Sequence, residues 1–156
     1  MKKNMWWFVI VIIVIGILVF ITINKKDEPA TADVVGTGQE NMQTIEGVKI
    51  SITKEGTGDV AKSGDTVAMN YTGKLADGTV FDSNVDPKFN HVEPFVFTID
   101  GGMVIKGWDI GVLGMKVGEK RMLEIAPEFA YGESGIGPIP PNATLSFEVE
   151  LVAIKK

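Results

Sequence analysis

The sequence predicts an α+β fold: an antiparallel sheet covered on one side by a single short helix, carried behind an apolar segment long enough to cross a bilayer. Three observations predict it. Beyond Gln43 apolar residues recur mostly with a period of two. One stretch, Met103 to Leu113, shifts to a period near four. Met5 to Ile23 (MWWFVIVIIVIGILVFITI) contains no charged residue at all.

The apolar segment comes first. As a helix it would be about 28 Å long, close to the ~30 Å hydrocarbon core of a membrane. Trp6 and Trp7 sit at one end, where amphipathic rings favour the water–lipid boundary, and lysines flank both ends. A cleaved signal peptide would have a shorter apolar core closely followed by small residues. Ala30-Thr31-Ala32 fits a cleavage pattern but lies well past Ile23, beyond Lys25, Lys26, Asp27 and Glu28. The expectation is a retained single-pass anchor in the cell membrane. Lys2 and Lys3 against Lys25 and Lys26 leave orientation nearly tied; the amino terminus tips it toward an extracytoplasmic soluble part.

Asn24 to Met42 is polar, small and poor in large apolar groups. It reads as a flexible tether reaching about 20–25 Å on average. The expected organisation is therefore a short tail at 1–4, a membrane helix at 5–23, a linker at 24–42 and one folded unit at 43–156.

Within that unit Val48, Ile50 and Ile52 alternate with polar neighbours, as do Val67, Met69 and Tyr71, then Phe95, Phe97 and Ile99. Leu123 to Ile125 is a further strand. Leu145 to Leu151 alternates most cleanly, with Glu148 and Glu150 on its wet face. Turn signals separate these runs at Gly56-Thr57-Gly58, Asp77-Gly78 and Gly101-Gly102. In the helical stretch Val104, Trp108 and Val112 fall on one face, and Gly114 suits the position after the helix end. Trp108 in "VIKGWDIG" then faces the sheet, either as core or as the floor of an open site.

The totals exclude several functions. The 156-residue chain carries 15 basic and 20 acidic residues, net −5, which disfavours nucleic-acid binding. It has no cysteine, hence no thiol catalysis, disulfide or cysteine metal site. Its single histidine, His91, reads as a solvated loop residue with no serine to pair with. No clustered metal-ligand spacing appears. Gly56 to Ala61 fits G-x-G-x-x-A without a following helix, so a hairpin turn is expected; Asn142-Ala143-Thr144 is expected to be turn chemistry, not a glycosylation site. Asp86-Pro87 and the prolines of Pro138 to Pro141 read as loop stiffeners.

Four strings in order carry a specific resemblance: "NYTGKLADGTVFDS" (Asn70 to Ser83), "VIKGWDIGVLGMKVGEKR" (Val104 to Arg121), "AYGESG" (Ala130 to Gly135) and "IPPNATLSFEVELV" (Ile139 to Val152). Together they closely resemble the FKBP-type peptidyl-prolyl cis-trans isomerases, across essentially all of 43–156. The resemblance implies a curved five- to six-stranded antiparallel sheet wrapped around one short helix. It also implies a shallow apolar pocket for a proline ring, lined by Tyr71, Phe81, Asp82, Phe95, Val104, Ile105, Trp108, Tyr131, Ile139 and Phe147, with Trp108 as its floor. Tyr71, Asp82, Ile105 and Tyr131 would act on the bond; the others would bind the substrate. Two loops depart from the pattern. "NVDPKFNHVE", after Ser83, is longer than in the smallest members, and "GESGIGPIPP" is shorter than in some.

The implied chemistry is rotation about an X–Pro bond, opposed by amide resonance with a barrier of ~18–20 kcal/mol. No bond breaks, so a site needs only to favour the twisted amide over both planar forms. The Ile105 N–H and the Tyr131 hydroxyl would hold substrate carbonyls; Asp82 would either meet the displaced carbonyl carbon or orient Tyr71. No cofactor or metal is implied. The implied partners are proline-containing polypeptide clients and the membrane, met by a monomer. Two alternatives stand beside this reading. One is a membrane-tethered chaperone or binding module, motivated by the longer rim loop. The other is a purely structural anchor protein, which leaves the pocket residues unexplained.

Overall fold

The period-two runs form strands because alternate side chains meet a common core. Those described are β1 (Met42–Ile45), β2 (Val48–Lys54), β3 (Thr66–Leu75), β4 (Val80–Ser83), β5 (Phe95–Thr98), β6 (Lys120–Ile125) and β7 (Leu145–Lys155), with one helix, α1 (Lys106–Val112). The structure is a computed structural model that describes residues 42–155. The expected membrane helix at 5–23 lies outside the described residues, as does the expected linker through residue 41. Among the described residues no helix is long and apolar enough to cross a membrane.

All pairings are antiparallel, in the order β1-β2-β6-β7-β3-β4, with β5 also on β3. The expected five- to six-stranded sheet thus has seven strands, and the reason is local. β4 and β5 share one edge of β3: β4 meets Thr72–Lys74 and β5 meets Thr66–Met69. The 84–94 loop leaves the sheet between them. Asn84, buried, mends the gap with its side-chain amide. Its Oδ1 accepts from Tyr71 N at 2.7 Å, and its Nδ2 donates to Met69 O at 2.9 Å and Glu93 O at 3.0 Å. Register shifts in β2, β3 and β7, at Ile52/Lys54 and Ala68/Met69 among others, add the local twist that bends a sheet.

Two strands escaped the sequence reading. β1 pairs with β2 through a tight turn at Glu46-Gly47, both with positive φ, as a two-residue hairpin of this hand requires. β4 shows no alternation of buried and exposed residues. The Gly56-Thr57-Gly58 segment is not the expected hairpin turn, because β2 pairs with β6 and not with β3. Instead it crosses close to the 116–119 backbone: Thr57 N and Gly58 N donate to Val117 O, and a Cβ on Gly56 would lie 2.6 Å from Glu119 N. Asn142 does adopt positive φ, the turn conformation that asparagine tolerates.

A seven-residue helix is too short to hold itself together, so α1 depends on packing. Gly107, Trp108, Gly111 and Val112 are its buried residues. The two glycines lie against Ile125 and Leu123 of β6 so closely that neither could carry a Cβ without displacing them. Gly114 has φ +78 just past the C-cap Leu113 and its N–H donates to Ala61 O, the expected helix stop. The start differs from expectation: Met103, Val104 and Ile105 precede α1, and Ile105 is its extended N-cap. The Val104 recurrence reflects a shared apolar environment, not a helical turn.

The C-terminal end of α1 is held by a buried ion pair. Arg121 Nε donates to Glu119 Oε1 at 2.6 Å, while Arg121 Nη1 donates to Gly111 O at 2.8 Å and Leu113 O at 3.1 Å. Glu119 Oε2 accepts from Lys116 N at 3.0 Å, so both buried charges are fully engaged. The core between α1 and the sheet includes Val48, Met69, Phe97, Ile99, Val112, Leu123, Ile125 and Val149.

Candidate active site

Trp108 is set by the glycines beside it. Because Gly107 and Gly111 let α1 settle onto β6, the indole is pressed into a ring of aromatics. Its centroid lies 5.3 Å from Tyr71, 5.4 Å from Phe147, 5.6 Å from Phe97 and 6.1 Å from Phe95, all edge-to-face. Only 5% of Trp108 is exposed, yet it lines a cavity of about 640 Å³. It is therefore both core residue and floor: its edges pack and its remaining surface is open. That volume is within the range typical of small-ligand clefts, roughly 300–1,000 Å³.

The cavity gathers residues from distant parts of the chain. Tyr71 comes from β3, Phe81 and Asp82 from β4, Phe95 from β5, and Phe147 from β7. Val104 and Ile105 come from the segment leading into α1, and Tyr131 from the turn after the short 3-10 helix Pro127–Phe129. Gly73 makes the wall possible. A Cβ there would lie 2.6 Å from Phe81 Cζ and 2.8 Å from Phe147 Cε1, whose rings meet edge-to-face at 5.6 Å.

One expected lining residue is not there. Ile139 is buried in the core, not on the cavity wall. Reciprocal backbone hydrogen bonds between Ile136 and Ile139 (2.9 and 2.8 Å) close a tight turn that leaves Ile136 exposed and Ile139 inside. The lining includes five residues the sequence reading missed: Met103, Lys106, Glu128, Phe129 and Ala130. Met103 and Lys106 flank "VI" in the quoted tryptophan string, and Phe129 and Ala130 immediately precede Tyr131, so adjacency to the strings was the available signal.

The polar groups form a chain along one wall. Tyr71 OH donates to Asp82 Oδ2 at 2.7 Å. Asp82 Oδ1 accepts from Ser83 N at 2.9 Å and lies 2.9 Å from His91 Nε2. His91 is thus no free loop residue, though 48% of its side chain remains exposed. Burial, then the hydrogen bond to Asp82 and its charge, hold the Tyr71 phenol well above the usual range. Burial and the Asp82 charge also raise Tyr131. Both phenols therefore stay protonated, as donors, throughout the neutral range. The Ile105 N–H and the Tyr131 hydroxyl have no hydrogen-bond partner among the described residues, which leaves two donors at the cavity free for a ligand. Among the described residues no group of three or more His, Cys, Asp or Glu is placed to hold a metal ion.

An open aromatic hollow with fixed donors and no paired nucleophile suits binding and distortion of an apolar, carbonyl-bearing group. Comparison with known proteins agrees. The family model described as FKBP-type peptidyl-prolyl cis-trans isomerase matches residues 58–152. FK506-binding protein 1 of Dictyostelium discoideum is 51% identical over 110 residues, spanning 70% of this chain and 99% of its own. FK506-binding protein 4 of Aspergillus oryzae is 50% identical over 119 residues, 76% of this chain but 24% of that protein, so this chain spans about a quarter of such longer relatives. The crystal structure of FkpA from Escherichia coli superposes with a TM-score of 0.65 at 40% identity, covering 76% of this chain and 53% of that one. On the match over residues 58–152, backed by near-complete coverage of the Dictyostelium protein, the chain belongs to the FKBP-type peptidyl-prolyl cis-trans isomerase family.

Proposed function

We propose that this chain is a peptidyl-prolyl cis-trans isomerase that acts on proline-containing polypeptide clients at a membrane. The observation that carries the reading is the open hollow floored by Trp108, with the Ile105 N–H and Tyr131 hydroxyl unpaired beside it. A proline ring seated on the indole leaves its preceding carbonyl among Tyr71, Phe81, Asp82 and Phe147. A planar amide is more polar than a twisted one, so removing water from that carbonyl penalises the planar forms more. The free donors then hold the flanking carbonyls while the bond turns. A thousandfold acceleration needs about 4 kcal/mol of preference for the twisted form, within reach of a few oriented contacts in a dry site.

The tether belongs to the same proposal. The charge-free Met5–Ile23 segment with Trp6 and Trp7 at its boundary supports a single-pass anchor, and the polar 24–42 stretch supports a leash for a monomeric domain outside the cytoplasm. A holding role without turnover would be favoured if the long rim loop obstructed the hollow. The lining includes no residue from Asn84 to Pro94, so this loop gives no support to that reading.

The test is the cis-to-trans rate of a Phe-Pro tetrapeptide with the full chain in detergent micelles. The expected result is an acceleration proportional to protein concentration, reduced about tenfold by Asp82→Ala, the equivalent of one oriented hydrogen bond. A rate equal to the thermal one at all concentrations overturns the reading.

A further inference from the structure

Two side chains of the 84–94 loop reach wall residues of the hollow: Asn84 accepts from the Tyr71 backbone, and His91 meets the Asp82 carboxylate at 2.9 Å. Two features make that contact more than a loop fastening. Asp82 is the carboxylate of the cavity wall nearest Tyr71, and its charge is felt by Tyr131 as well. His91 is also the only histidine in the chain, and histidine is the side chain whose ordinary titration falls between pH 5 and 8. The loop itself is firmly placed: Asn84 binds both β3 and Glu93 O, and the Phe89 ring meets the His91 ring edge-on at 6.5 Å.

We propose that His91 is a specificity-determining residue whose protonation cancels the Asp82 charge at the rim, so that pH sets how strongly basic residues beside proline are preferred over acidic ones. This rests on the isomerase reading of the same hollow. With His91 neutral, Asp82 presents a net negative charge that favours a client with Lys or Arg next to proline. With His91 protonated the pair is neutral and that preference shrinks.

The other charges near His91 do not reproduce this change. On its own loop, Lys88 is paired with Asp86 at 3.1 Å and sits over the Phe89 ring, and Glu93 contributes its backbone carbonyl to Asn84. From β4 it faces Asp82, whose other oxygen accepts the hydrogen bond from the Tyr71 hydroxyl. Lys106 and Glu128 line the hollow from the far elements with opposite signs. Among the described residues Asp82 is the only ion-pair partner of His91.

The experiment compares kcat/KM for Lys-Pro and Glu-Pro tetrapeptides with the full chain from pH 8 to pH 5.5, and affinities for the same peptides by calorimetry. The ratio of the two substrates removes effects common to both. The wild-type Lys-Pro to Glu-Pro ratio is expected to fall about threefold, as a unit charge change several ångströms away in screened solvent allows. His91→Gln, which keeps a donor but cannot titrate there, is expected to hold the high-pH ratio throughout. His91→Lys is expected to hold the low-pH ratio. A flat wild-type ratio with turnover present, or an equal step in His91→Gln, overturns the inference alone. A pH-dependent affinity ratio without turnover supports it and overturns the isomerase reading. Absence of both binding and turnover overturns both.

Discussion

Replacing Arg121 by methionine is expected to lower the unfolding free energy by about 3–5 kcal/mol, the cost of stranding one member of a buried ion pair. Glu119, 2% exposed, would be left with only the Lys116 N–H to meet its carboxylate. The Gly111 and Leu113 carbonyls at the end of α1 would lose their donor at the same time. The pair is worth far less than this against an apolar substitute, since both charges were first stripped of water. The double variant Glu119→Leu with Arg121→Met is therefore expected to recover part of the loss. Urea midpoints of the two single variants and the double variant measure the coupling. Near-additivity would mean the pair does not act as a unit. Exposed pairs such as Lys49–Glu124 at 3.5 Å offer the contrast, with an expected effect below about 1 kcal/mol.

Gly107→Val is expected to destabilise by about 3 kcal/mol and to lower kcat/KM by about a hundredfold in protein that still folds. A Cβ at that position would lie 2.7 Å from Ile125 Cδ1 and closer still to Cγ2, on a buried, stiff side chain of β6. Relief requires α1 to lift from the sheet, and Trp108 is the next residue along. The floor of the hollow would move by a fraction of an ångström or more, which catalysis by position tolerates poorly. Gly64→Ala is the control. It has φ +84 but nothing within 4 Å, so it strains the backbone without touching α1 and should leave kcat/KM unchanged. Equal activity losses in both variants would sever the proposed link between helix seating and site geometry.

The strands with a clear period of two were legible from the sequence, because alternation directly records a sheet with one buried face. β7 is the clearest, from Leu145 through Leu151. β1 and β4 were not legible because neither alternates: β1 is exposed throughout, and three of the four β4 residues are half-buried alike. The crossing at Gly56 was misread as a turn because a glycine needed for close backbone approach resembles a glycine needed for a hairpin. Of the site, the aromatic wall was legible through the family strings. Ile139 is absent from the lining because the turn closed by the Ile136–Ile139 hydrogen bonds buries it in the core, a placement that the neighbouring sequence does not signal. His91 was missed because nothing in its immediate neighbours signals a partner at position 82. Its role exists only once the 84–94 loop has folded back onto β4.

The account's central claim is that a proline ring rests on the Trp108 indole while its bond turns, with no side chain reacting. The most direct measurement is exchange spectroscopy on a Phe-Pro peptide in the presence of the full chain, combined with nuclear Overhauser contacts to the Trp108 ring. The account predicts cis and trans signals that interconvert far faster than the tens of seconds of the free bond, with proline ring protons in contact with that indole. Fast exchange without any such contact, or contact without fast exchange, would contradict it.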